Sequence, residues 1–331
     1  SGLSAAWLLS RRHEVVLYEA SDYLGGHTDT HAVEVDGRAL RVDTGFIVHN
    51  PVHYPLLTRL FDELGVASQA TTMSFSVQDA RSGLEYNATS LDTLFCQRRN
   101  LASPRFWGML RDLARFYREA PALLEGDATG PTLGDWLQAG GYGDAFRDEH
   151  LVPMASALWS SPPQGILAFP ARYLVQFMAN HHMLTLGARP PWRVVTGGSA
   201  TYVEALRRRW RVQERLSSPV LAVRRDADGV ELDTLRGRER FDQVVLACHS
   251  DDALRLMQDA DARERDILGA IRYQSNDTVL HTDARLLPQR RKAWAAWNAH
   301  VPRDPSAPCT VSYCMNLLQG GDSPEPFVVT L

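Results

Sequence analysis

The sequence predicts an α/β protein in which a parallel-sheet domain is interleaved with a second domain of antiparallel sheet plus a helical insertion. Three observations carry this prediction. The chain opens as helix, turn and short β-branched strand; it becomes mostly helical between residues 103 and 187; and it closes in alternating apolar runs separated by turns. With 331 residues, 44% hydrophobic and 22% charged, it is long enough for two cores and ordinary in composition.

Taken in order, residues 2–11 place small and apolar side chains at helical spacing, and Arg11-Arg12-His13 punctuates the run. Residues 14–19 then form a short, β-branched stretch suited to a buried parallel strand. A turn follows from Ala20 to Thr28, in which the Gly25-Gly26 pair permits positive φ and close backbone approach. Residues 31–36 and 38–42 alternate about Asp36-Gly37, a strong hairpin signal, and Asp43-Thr44-Gly45-Phe46 returns the chain toward the core. Helical spacing resumes over 55–64 with Gly65 as its stop, and 73–86 reads as two strands bent at 79–83.

In the helical stretch, Ser103-Pro104 is an N-cap and first-turn pair for a helix to about Ala120. Thr132 opens another, closed by Gly140-Gly141. Trp159, Phe169, Tyr173, Phe177 and Met178 make this insertion aromatic and apolar, the composition of a packed core. Beyond Gly197-Gly198-Ser199, a helix is expected over 202–210, with Thr201 and Glu204 as a capping box. Strands are expected at 220–224, 230–235 and 243–248, helices at 251–258 and 263–271, and antiparallel strands at 278–282, 293–299, 310–316 and 327–331. The predicted division assigns 1–50 and 191–272 to the parallel-sheet domain, and 51–190 and 273–331 to the other.

Several function classes are set aside by composition. A net charge of −4 gives no polyelectrolyte signal for nucleic acid. Four cysteines without a C-x-x-C pair form no disulfide framework, so a reducing, cytoplasmic setting is expected. No apolar run reaches the ~18 residues of a membrane span. His49 and His53 have metal-like spacing, but Pro51 and Pro55 interrupt a helix there, so no metal is expected. His181-His182 is expected on a helix with its rings on different faces, and Cys309 and Cys314 on opposite faces of a strand. Arg207-Arg208-Arg209 reads as a solvated helix end, with a basic face that allows peripheral contact with anionic lipid.

The chemistry begins with Gly2 and Glu19. A dinucleotide fold needs a glycine turn feeding a helix whose amide end faces pyrophosphate, and an acidic residue ending the next strand for the ribose hydroxyls. Gly2 and Glu19 fit these two places, and a carboxylate prefers FAD or NAD over a 2′-phosphate. This half-motif alone leaves an ordinary helix and a capping glutamate equally open.

The continuation is more specific. Val16-Leu17-Tyr18-Glu19-Ala20 followed by Leu24-Gly25-Gly26 resembles the FAD fingerprint of the amine oxidase and phytoene desaturase superfamily. Residues 22–28 and 42–48 look most like bacterial NAD/FAD-binding proteins related to amine oxidases. The resemblance implies a Rossmann-like FAD/NAD(P)-binding domain and an FAD-dependent oxidoreductase. It implies Gly2, Leu3 and Ser4 at the pyrophosphate, and Glu19 and Ala20 at the ribose. It further implies Gly25, Gly26, His27 and Thr28 as a backbone turn on the pyrophosphate, with His27 where the family usually has arginine. Asp43 and Gly45 match a D-x-G near the flavin, while Val220 and Ala247 lie on strands presenting a backbone edge to adenine.

The resemblance also implies that hydride passes to the flavin from an amine or a lipid acyl substrate. Lipid desaturation is favoured, because the subgroup often accompanies cyclopropane-fatty-acid-synthase-like enzymes; no catalytic side chain is singled out. A non-catalytic FAD/NAD-binding protein and a nicotinamide-dependent dehydrogenase are the rival readings. The first glycines of the motif are expected upstream of residue 1, and a C-terminal flavin-binding segment beyond residue 331, so the chain reads as a fragment. Gly320-Gly321-Asp322 resembles that segment only superficially and reads as a loop.

Overall fold

The computed structural model describes residues 1–331 except 36, 126–129, 160–162, 186–189, 305–306, 308 and 322, and leaves the side chains of Arg38 and Pro163 undescribed. Asp36 of the predicted hairpin turn and Asp322 of the predicted loop therefore lie outside the described residues. The chain forms two compact units. One comprises residues 1–29, 63–66 and 199–275, the other 30–62, 67–198 and 276–331.

In the first unit, the helix Gly2–Leu9 buries Ala6 and Trp7 and leads into the strand Val15–Tyr18. That strand pairs in parallel with Val212–Arg215, Val15 opposite Val212 and Tyr18 opposite Arg215. An antiparallel ribbon of Val220–Asp226, Gly229–Thr234 and Gly237–Phe241 follows. Its buried Val223, Val230 and Leu232 pack with Tyr18, Val244 and Leu246. The predicted strand at 243–248 is not observed: among the described residues this run forms no β-ladder. Its alternation is nonetheless real, since Val244 and Leu246 turn into the core while Val245 is exposed. Side-chain burial thus produces a strand pattern without a strand.

Two helices, Ser250–Leu256 and Ala262–Ala270, complete this unit; Asp261 and Glu264 form a reciprocal capping box on the second. The helix expected from Tyr202 begins earlier, at Ala200 with Ser199 as N-cap, so Thr201 lies inside it and is not the cap. Arg207 is tied to Glu214 at 2.9 and 2.6 Å, and Arg209 donates to the Glu63 carbonyl, so two of the three clustered arginines are engaged within their own unit.

The second unit is organised by a six-stranded sheet in the order Val279–His281, Val328–Thr330, Thr310–Cys314, Trp297–Val301, Phe75–Asp79 and Leu84–Asn87. Every pairing is antiparallel except that of Trp297–Val301 with Phe75–Asp79. Ser76 Oγ donates to Asn298 Oδ1 at 2.7 Å across this central junction, joining residues 222 positions apart. The strand predicted over 310–316 ends at Cys314, because Met315–Gln319 turns into a helix.

The helical insertion follows its caps. The Ser103 side chain accepts from the Phe106 N–H at the start of Pro104–Glu119, and Thr132 does the same for Asp135 at the start of Leu133–Ala139. Phe116, Phe146, Met109, Leu174 and Met178 are fully buried in the resulting core. The hairpin Thr30–Val35 with Arg38–Asp43 packs Val33, Val35 and Leu40 against Met315, Phe327 and Val329. This packing groups the hairpin with the second unit, and the pairing of Trp192–Val195 with Val48–His49 and Ser68–Thr71 places 191–198 there too, whereas the sequence placed 30–50 and 191–198 with the parallel-sheet domain. Among the described residues no helix is long and apolar enough to cross a membrane.

Candidate cofactor site

Most of the residues singled out in the sequence gather in the first unit. The helix Gly2–Leu9 has Ser1 as N-cap without a side-chain cap and carries no acidic residue in its first turn, so its positive amide end is suited to an anion. A Cβ on Gly2 would stand 3.0 Å from the Ala247 Cβ, so the helix start and position 247 are in close contact. Leu3 and Ser4 follow, half-buried.

Glu19 ends the adjacent strand. Its N–H donates to the Arg215 carbonyl at 2.9 Å, its own carbonyl accepts from the Ser218 N–H at 2.8 Å, and its half-exposed carboxylate accepts from the Ser21 N–H at 2.9 Å. Ser217, at φ 47°, turns the chain back and donates to the Ser21 carbonyl at 2.8 Å. Ala20 is exposed, and the ribbon begins at Val220, two residues beyond Ser218. Just before Glu19, the Tyr18 hydroxyl donates to Glu239 at 2.8 Å and accepts from Arg215 at 2.7 Å. Burial and that carboxylate acceptor push the Tyr18 pKa up to about 12.

The glycine turn is held by its own backbone. Gly25 sits at φ 137°, and a Cβ there would meet the Thr28 carbonyl oxygen at 2.4 Å, so only glycine fits. Gly26 and His27 are exposed; Thr28 is buried, with its hydroxyl against that of Tyr202. His27 stacks on His249 with centroids 5.5 Å apart, and His249 stacks on Tyr273 at 4.2 Å.

Asp43 and Gly45 belong to the second unit. Asp43 is wholly buried; its carboxylate accepts from Thr30 Oγ1 at 2.5 Å and from Gln319 Nε2 at 2.9 Å, and its N–H donates to Gln319 Oε1 at 3.0 Å. Within this unit Asp43 clips the hairpin to the helix Met315–Gln319. Gly45 is exposed.

The remaining candidates are also resolved. His181 caps the helix Ala171–Asn180, and His182 lies beyond it at φ 53°, so neither sits on a helix face as expected. Asn50 brackets His53: its Oδ1 accepts from the His53 N–H at 2.8 Å, and its Nδ2 meets His53 Nδ1 at 2.8 Å. His53 Nε2 is buried without a partner among the described residues. Burial, and then the neighbouring His181 and His182, lower the His53 pKa; burial, and then Arg193, lower that of His49. Cys314 is buried and Cys309 half-buried, and both are free thiols.

Sequence reasoning missed Ser217, Ser218, Tyr202, His249 and Tyr273. Only the Leu216-Ser217-Ser218-Pro219 run offers a turn signal; the aromatic column is formed by residues distant in sequence and has none.

A parallel strand pair, a helix amide end and a strand-terminal carboxylate together define a nucleotide-binding α/β unit. The sequence matches the family of flavin-containing amine oxidoreductases over residues 1–282, and the chain belongs to that family. It is an FAD-dependent oxidoreductase. No curated protein matches the sequence. Among solved structures, the fold is similar to cyclohexylamine oxidase from Brevibacterium oxydans IH-35A, at TM-score 0.66 and 15% identity over 100% of this chain and 72% of that one. It is similar to putrescine oxidase bound to putrescine, at TM-score 0.62 and 16% identity over 99% and 72%. It is also similar to a CLA-producing fatty acid isomerase from P. acnes, at TM-score 0.61 and 16% identity over 99% and 73%.

Proposed function

We propose that the first unit holds FAD, with the start of the helix Gly2–Leu9 and the turn 25–28 toward the pyrophosphate, Glu19 and Ala20 toward the ribose, and Val220 and Ala247 beside adenine. The observation that carries this reading is the closeness of two pairs, Gly2 with Ala247 and Glu19 with Ser218, in one unit whose strands Val15–Tyr18 and Val212–Arg215 pair in parallel. These residues fit the group chemically. A helix amide end without a capping carboxylate suits a diphosphate, and a half-exposed carboxylate suits a pair of ribose hydroxyls. Leu3 and Ser4 extend the amide end, and His27 stands in this turn where a cation would serve the diphosphate. Asp43 and Gly45, which the family resemblance assigns near the flavin, belong to the second unit, where the buried carboxylate of Asp43 keeps the Thr30–Asp43 hairpin in place.

FAD, when bound, supplies the acceptor for a hydride from a substrate C–H bond. The second unit binds the substrate, which we take to be a lipid acyl chain undergoing desaturation. The fold likeness to a fatty acid isomerase and the apolar, aromatic character of the helical insertion support this. An amine is the second reading, favoured by the family description and by the likeness to two amine oxidases.

The test is anaerobic mixing of the flavin-loaded protein with saturated fatty acyl substrates and with alkyl monoamines and diamines. Bleaching of the flavin absorbance by acyl substrates alone is the expected result. Bleaching by amines alone transfers the assignment to the second reading, and loss of colour with neither removes both.

A further inference from the structure

We propose that a cationic, tryptophan-bearing face of the second unit docks the protein on an anionic lipid surface. The apolar part is built locally. The Trp107 ring packs on Phe95 with centroids 5.3 Å apart, and its Nε1 donates to the Leu101 carbonyl at 2.9 Å. This fixes the indole at the surface beside Leu101. Trp107 remains 49% exposed, Leu101 52% and Leu91 75%, which places three large apolar side chains in water around one ring pair. Exposed apolar groups of this size are unfavourable in a surface that meets only water, and an indole whose N–H is already satisfied is suited to a headgroup boundary.

The charge on the same face is predominantly positive. Asp92, next to Leu91, accepts from Lys292 Nζ at 2.9 Å and also pairs with Arg98, whose Nη1 donates to the Phe95 carbonyl at 3.0 Å. The backbone N–H groups of Gln289 and Arg290 are anchored on the buried Glu85 carboxylate at 2.8 and 3.2 Å, which brings residues 289–292 to this place. Arg98, Arg99, Arg290, Arg291 and Lys292 are all exposed here, with Asp92 as their exposed counter-charge. Five exposed cations against one exposed carboxylate, with the buried Glu85 beneath them, is a local positive excess in a chain whose net charge is −4. Two of the five hold Asp92 between them, which fixes the helical turn Leu91–Leu94 and keeps Leu91 outward.

Apolar side chains that enter the headgroup region, ringed by cations that meet anionic headgroups, are the two components of reversible surface binding. The charge excess selects an anionic bilayer over a neutral one. Because cations near such a surface act within a Debye length, binding weakens as salt rises. The inference is independent of the substrate, since it rests on the outer surface alone.

The test is co-sedimentation of the purified protein with phosphatidylcholine vesicles and with vesicles of equimolar phosphatidylcholine and phosphatidylglycerol. Binding is expected to the mixed vesicles only. Arg290→Glu with Lys292→Glu should weaken it by roughly twentyfold or more, each surface cation being worth about a fivefold change. Leu101→Asn with Trp107→Asn should abolish the blue shift of tryptophan fluorescence that accompanies binding. Leu235→Asn, which removes an exposed leucine elsewhere, should leave binding unchanged. Each variant is compared at an unchanged melting temperature. Absence of binding to the mixed vesicles, or binding that neither double variant alters, overturns the proposal. So does the finding that the variants change only the oligomeric state of the vesicle-free protein, which would assign the face to a second copy of the chain.

Discussion

The two compact units differ in how each is held together. The second has a six-stranded sheet and a helical core with Phe116, Phe146 and Leu133 wholly inaccessible. The first has a two-stranded parallel pair, a three-stranded ribbon and a cluster whose buried members are Val223, Val230 and Leu232. Where apolar burial is this unequal, the smaller unit gains proportionately more from a ligand that binds only the folded form. On the proposed placement of FAD in the first unit, the difference teaches that conformational stability and capacity for cofactor are carried by different stretches of chain.

The largest break in that comparison comes from the core of the second unit. Phe116→Ala should cost about 3–5 kcal/mol, and a lowered melting temperature in the flavin-loaded protein would record it. A variant that melts like the parent would show that this core is not what holds the unit.

Next in size is a pH effect from the same core. His150 is buried among Phe75, Tyr86 and Phe146, and burial pushes its pKa down to about 4. Between about 6.5, its ordinary value, and 4, the unfolded chain binds a proton there that the folded chain does not. Stability should therefore fall as the pH drops through that window, by up to about 3 kcal/mol in total. Denaturant unfolding at several pH values should show the slope, and His150→Phe should flatten it.

The first unit is probed by the cofactor itself. Glu19→Gln replaces a charged acceptor by a neutral one and should weaken FAD binding by about 1.5–3 kcal/mol, or at least tenfold in Kd, with little change in the melting of the flavin-free protein. Fluorescence titration with FAD reads this directly; equal affinity for both proteins would remove Glu19 from the site. Asp43→Ala leaves Thr30 and Gln319 without their acceptor and should destabilise by about 1–3 kcal/mol, seen in thermal unfolding. Smallest of all, Leu235→Ser at an exposed hairpin position should alter stability by no more than about 0.5 kcal/mol in the same assay.

Legibility in the sequence followed the range of the interactions. Ser103 and Thr132 act on N–H groups three residues away, and both helices start where these residues predict. The alternation on either side of residue 37 specifies the hairpin Thr30–Val35 with Arg38–Asp43 for the same local reason. The parallel junction of Phe75–Asp79 with Trp297–Val301 joins stretches with no shared signal, and its order in the sheet was unreadable. Val212–Arg215 and Gly237–Phe241 were overlooked because their charged side chains pair on the surface, as Arg215 with Glu239 does, and so break the apolar alternation. In the candidate site, Gly2, Glu19 and Gly25 were legible through a fingerprint that requires specific residue types. Ser217 was not, since a serine at positive φ carries no mark in the sequence.

The amide of Asn50 has one further consequence. Because its oxygen is committed to the backbone of residue 53, it must present hydrogens to the facing ring nitrogen, which is thereby fixed as the lone-pair side. The single proton of neutral His53 then resides on the opposite nitrogen. That nitrogen is buried and without a partner among the described residues, so the ring holds an unspent donor there and has no electron pair to offer an electrophile.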